Sequence, residues 1–146
     1  MRTTTLLRTG IIVLALWQAG PALWAVVSPE GFYSGFPTPD HAWVSAHPPY
    51  NEHLVRDLGL AALQLAPVAA VCVKWPEPVF VRAVLIASLV FSLPHMIYHE
   101  THAAHTEDLL WQRVALWLPI LLAISLLPLT RARRRSAGSF PSRTNL

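Results

Sequence analysis

Imidazole is the side chain best placed to do chemistry in this sequence. There are seven histidines: His41, His47, His53, His95, His99, His102 and His105. A neutral imidazole ligates transition metals, and its charge changes near neutral pH. The last four follow the spacing HxxxHxxHxxH. On a continuous helix, steps of four and three put His95, His99 and His102 on one face. Two imidazoles one turn apart are a normal way to present two ligands to a metal. A metal site is therefore expected from His95, His99, His102 and His105, with Glu100, Glu107 and Asp108 able to add oxygen ligands. The run His99-Glu100-Thr101-His102 is not the HExxH of zinc peptidases, because residue 103 is Ala. His53 and His99 also suit the two axial positions of a haem b. Imidazoles that simply hydrogen-bond to water and lipid headgroups are the plainer alternative.

The elements that must carry these histidines are apolar. The 146 residues are 53% hydrophobic and 13% charged, against about 25% charged in an ordinary soluble domain. That balance points to a bilayer as the solvent and fits a single domain. A membrane-crossing helix needs about 20 mostly apolar residues. Four stretches qualify: about 9–27, 53–74, 79–99 and 109–129. They predict an all-α, integral membrane four-helix bundle over residues 1–130. Arg2 and Arg8 before the first run also fit a secretion signal. That run is long, however, and no small-x-small cleavage site follows it, so it is read as a span. Each span contains proline (Pro21, Pro67, Pro94, and Pro119 with Pro128), which predicts kinks.

Basic residues in short connections mark the cytoplasmic side. Arg2 and Arg8 precede span one, Lys74 and Arg82 flank the second turn, and Arg131, Arg133, Arg134, Arg135 and Arg143 follow span four. With an even number of spans, all three groups fall on one side, which places both termini in the cytoplasm. The opposite side receives the loop 28–52 and the link 100–108, which carry acids and no Lys or Arg. The basic tail 131–146 is expected to be disordered and to lie against anionic lipid. No nucleic-acid partner is expected. The single cysteine, Cys72, excludes an internal disulfide and any CxxC motif. Arginine-rich, Ala/Leu/Pro-rich usage suggests a bacterial chain of the inner membrane.

Depth along the spans defines a candidate layer on the outer side. At about 1.5 Å per residue, Arg56, Asp57, His95 and Arg113 should lie about a turn below His53 and His99, with Gln18 deeper. Ionisable groups within a membrane usually face the bundle interior and pair with one another. Neighbours in sequence point apart on a helix. Asp57 is therefore expected to pair with Arg113 or His95 rather than Arg56, while Arg56 reaches towards the interface. His53, Arg56, Asp57, His95 and Arg113 form the expected ligand or ion-pair layer. The loop's aromatics suit an interfacial belt, and Asp40 is expected to cap a short helix over 41–47. The loop would act as a lid or, preferentially, as a surface anchor.

The stretch Pro48 to Pro67, followed by Leu93 to His102, resembles small four-helix bacterial membrane proteins of the broad DoxX-like kind. Their second helix commonly opens with Arg-Asp-x-Gly, here Arg56-Asp57-Leu58-Gly59. The resemblance implies a four-helix membrane module, in some members linked to quinone or sulfur redox partners. From the residues themselves, the leading expectation is a non-enzymatic module that binds a ligand, another membrane protein or a second copy of itself. A metal- or haem-binding component of a membrane oxidoreductase is the first alternative. A small proton-coupled carrier, titrating at Asp57 and His95, is the second.

Overall fold

The computed structural model describes residues 2–102 and 108–137, and of residues 132–137 the backbone alone. The described residues are all-α apart from one short ribbon and a 3₁₀ turn. The helices are α1 (Arg2–Val27), α2 (Pro29–Gly35), α3 (Glu52–Leu63), α4 (Leu65–Lys74), α5 (Pro78–Thr101) and α6 (Leu109–Ala137). Between α2 and α3 lie β1 (Pro37–Thr38), β2 (His41–Ala42) and a 3₁₀ turn over Val44–Ala46. Four helical stretches are long and apolar enough to cross a membrane: Arg2–Val27, Glu52–Lys74, Pro78–Thr101 and Leu109–Arg131.

The second of these is not one helix. It breaks at Gln64, between α3 and α4. Pro67 cannot donate to the carbonyl four residues earlier, so the ladder loses a bond at this point. The two halves then pack differently: α4 lies against α1 and α5, whereas α3 lies against α1 and α2. Pro21, Pro94, Pro119 and Pro128 stay within continuous helices.

The apolar core occupies only one half of the bundle. Leu7, Ile11 and Leu14 of α1 meet Ala69 and Cys72 of α4, Val81, Val84 and Leu85 of α5, and Ala123 and Leu126 of α6. All lie towards the end that carries Arg2, Arg8, Lys74, Arg82 and Arg131, hereafter the basic end. Towards the other, histidine-bearing end, contact depends on small residues. A Cβ at Gly59 would come within 2.8 Å of the Ala22 carbonyl oxygen and 3.1 Å of the Ala25 Cβ. The missing side chain is what lets α3 lie directly on α1, the usual device for close helix approach in membranes.

Two expectations about the ends are corrected. The helix runs on to Ala137, where a disordered tail was expected from 131. Arginine is a good helix former, and cations favour a helix C-terminus, so 131–137 extend α6. Residues 138–146 lie outside the described residues. The loop after α1 also differs. Asp40 sits in the turn of the β1–β2 ribbon, where Pro37 pairs with Ala42 and Thr38 with His41, and caps no helix. The helix forms earlier, as α2, with Pro29 in its first turn, a position where its missing N–H costs nothing.

Candidate functional site

At the histidine end, residues 28–50 form a cap fastened to the helix ends. Its inner layer is aromatic. Trp24 at the end of α1 meets Phe32 edge-on at 5.9 Å and Phe36 at 6.2 Å, and Phe36 meets Trp43 at 5.9 Å. Each such pair contributes about 0.5–1.5 kcal/mol beyond area burial. The far edge of the cap is held by Asp108, just before α6. His41 Nδ1 lies 2.5 Å from Asp108 Oδ2, and Trp43 Nε1 donates to the same oxygen at 3.4 Å. A carboxylate ahead of a helix N-terminus is also favoured by the helix dipole.

This fastening delivers His47 to α5. The His47 ring centre lies 5.6 Å from that of His99, and His99 lies 4.6 Å from His95. Phe91 stacks on His95 at 5.3 Å. Three imidazoles from two elements therefore form one chain of ring contacts, His47 to His99 to His95. The expected pairing of His95 with His99 on one helical face is present. His102 is elsewhere: it stacks on Tyr98 at 4.3 Å and its Nδ1 meets the Tyr98 carbonyl oxygen at 3.1 Å. The helix ends here, so the three-residue step to His102 no longer carries it along the same face. His105 and Glu107 lie outside the described residues. As arranged, no three His, Cys, Asp or Glu side chains among the described residues are set to hold a metal ion.

The expected ligand or ion-pair layer of His53, Arg56, Asp57, His95 and Arg113 is distributed rather than gathered. Asp57 pairs along its own helix with His53, Oδ2 to Nε2 at 3.2 Å, both well exposed. Arg113 pairs across the short link with Glu100, Nη2 to Oε2 at 2.9 Å. The pairing of Asp57 with Arg113 or His95 is thus corrected. Because α3 packs on α1 and α2, Asp57 points away from α5 and α6, and local partners four residues apart suffice. His53 and His99 likewise belong to different clusters, which separates the residues considered for haem b.

Arg56 reaches towards the histidine end, as expected, and finds partners there. Its Nε donates to Glu52 Oε1 at 2.8 Å, and its Nη1 donates to the Val26 carbonyl at the end of α1. The last carbonyls of a helix lack intrahelical donors, and a guanidinium there is doubly favourable. The Arg56-Asp57-Leu58-Gly59 element therefore clamps α3 to α1: Arg56 closes α1's C-terminus, while Gly59 lets the helices touch.

Gln18 also has a different role from a layer member. Its Nε2 donates to Ser88 Oγ at 2.7 Å and contacts Ser92 Oγ at 3.4 Å, both serines being buried. This polar contact ties α1 to α5 midway between the ends. The sequence signal for it was available: Ser88 and Ser92 are one turn apart in an otherwise apolar run. His41 and His47 gave no comparable signal, since their positions depend on the path of the cap.

No protein-family model, no curated protein and no solved structure matches this chain.

Proposed function

We propose that this is a four-span protein of a bacterial inner membrane, with both termini cytoplasmic and the histidine end outside. We further propose that it is a non-enzymatic recognition module, taking a partner membrane protein, a second copy or a small ligand at the capped end. One observation carries this reading: Asp108 fastens residues 28–50 to α6 and so holds His47 against His99 and His95. Half-buried imidazoles beside Tyr98 and Phe91 offer donors, acceptors and ring faces within one patch. The orientation rests on the basic residues gathered at the other end. A DoxX-like relationship is part of the same proposal. Its support is the Arg-Asp-x-Gly element and the clamp that element makes.

The metal reading would need the His47–His99–His95 chain to rearrange, because among the described residues no three His, Cys, Asp or Glu side chains are placed to hold an ion as they stand. The carrier reading has less support, because Asp57 and His95 lie in separate clusters.

Metal content and the visible spectrum of the purified protein decide between these, measured beside His95→Ala/His99→Ala. The recognition reading expects no stoichiometric metal and no Soret band in either protein. It also expects a native complex mass that falls in His47→Ala/His99→Ala. Metal or haem present in the native chain and lost in the variant would replace it with a cofactor site. A transport activity abolished by Asp57→Asn in a folded protein would favour the carrier.

A further inference from the structure

At the basic end, a groove of about 340 Å³ opens on the surface between α5 and α6, lined by Arg82, Ile86, Ile124, Leu127, Pro128 and Arg131. Its composition is graded along the bundle axis. The two guanidiniums come from its outermost residues. Ile86 lies four residues further into α5 than Arg82, and Ile124 seven residues further into α6 than Arg131. At about 1.5 Å per residue, the apolar walls extend roughly 6–10 Å towards the bundle centre.

Arg82 is held in position. Its Nε donates to Thr130 Oγ1 at 2.7 Å, and that buried hydroxyl donates to the Leu127 carbonyl at 2.7 Å. This uses one of the five guanidinium N–H groups and fixes the plane of the rest. Arg131 is exposed. No carboxylate among the described residues forms an ion pair with either arginine. Two positive forks without a counter-charge therefore sit above an apolar trough.

The geometry points to a binding site for one anionic phospholipid, its phosphate between Arg82 and Arg131 and an acyl chain along Ile86, Ile124 and Leu127. Guanidinium forks match phosphate oxygens bidentately. Basic pockets between helices on the cytoplasmic side are suited to anionic headgroups. A soluble anion would not need the trough, and a neutral lipid would leave the two charges uncompensated. The site rests on the proposed membrane insertion and orientation, but its test does not use the orientation.

The test uses the full chain extracted from membranes into a neutral detergent and stripped of lipid. Phosphatidylglycerol, phosphatidylcholine and inorganic phosphate are titrated in turn, with binding read by native mass spectrometry and thermal midpoint. Phosphatidylglycerol is expected to bind and raise the midpoint, the other two to do neither. An arginine near anionic lipid contributes about 1 kcal/mol, or roughly fivefold. Arg131→Gln should therefore weaken binding about fivefold, and Arg82→Gln/Arg131→Gln about 25-fold. Since Arg82→Gln also loses the Thr130 contact, Arg131→Gln is the cleaner reading. Ile124→Trp, which fills the trough without changing charge, should weaken phosphatidylglycerol as well. Arg2→Gln/Arg8→Gln removes the same charge elsewhere at this end and should change binding less than twofold.

Equal loss in Arg2→Gln/Arg8→Gln would overturn the site in favour of diffuse attraction. Equal binding of phosphatidylcholine, or of inorganic phosphate, would overturn it too. Failure of insertion shows separately, as a chain that does not sediment with membranes.

Discussion

The two halves of the bundle are held together by different means. In the basic half, four helices bury Leu7, Ile11, Cys72, Leu85 and Leu126 against one another, while Arg82 bonds to the Thr130 hydroxyl and Arg8 to the Lys74 carbonyl. In the histidine half α3 draws away to lie on α1 and α2, most buried positions other than Met96 are small, and closure depends on polar and aromatic contacts. Charge explains much of the contrast. At the basic end the described charges are almost all of one sign, so they cannot neutralise each other, and Arg82 and Arg131 stay available. At the histidine end both signs occur, and Glu52, Asp57, Glu100 and Asp108 each take a nearby cation or imidazole. Close apolar packing is concentrated in one half, and ion pairs and aromatic contacts in the other.

Substitutions in each half test that division. Leu85→Ala should have the largest effect, about 2–5 kcal/mol of stability, because it leaves a cavity in the dry core. A denaturation curve of the detergent-solubilised protein measures it, and a loss below that of any histidine-end variant would reverse the comparison. Asp108→Ala should come next. Losing hydrogen bonds to a charged group costs about 1.5–3 kcal/mol, and here the loss should be local. Limited proteolysis should cut within 28–50 while the spans stay protected. Gln18→Leu removes the contact joining the halves and should cost about 0.6–1.7 kcal/mol, the range for interhelical hydrogen bonds in membranes. Smallest of all, Asp57→Asn should change stability by less than about 1 kcal/mol, since its partner is exposed and on its own helix. A larger loss, or one relieved by Arg113→Ala, would restore the interhelical pair expected from the sequence.

The all-α class, the four long apolar stretches and the His95–His99 face were legible in the sequence, because apolar length and helical period are local properties. Polar partners across helices were not. Depth along a span follows from counting residues, but rotation about the helix axis depends on packing. Gly59 turns α3 onto α1 and sends Asp57 outward, so a residue at the correct depth faces the wrong way for Arg113. His47 was illegible for a related reason: its place is fixed by the aromatic contacts of Trp24, Phe32, Phe36 and Trp43 and by Asp108, far away in sequence. The seven-residue α2, with two glycines, lacked enough length to show a period. Its only cue was Pro29 after Ser28.

The central claim is that the cap, latched through Asp108, holds His47 against the His95–His99 pair. Histidine-labelled protein in detergent micelles tests it by proton–proton NOEs between imidazole rings, assigned with single His→Ala variants. Ring contacts are predicted between His47 and His99 and between His95 and His99. In Asp108→Ala the first should vanish and the second persist. A native protein in which His47 shows no contact with His99 would contradict the account.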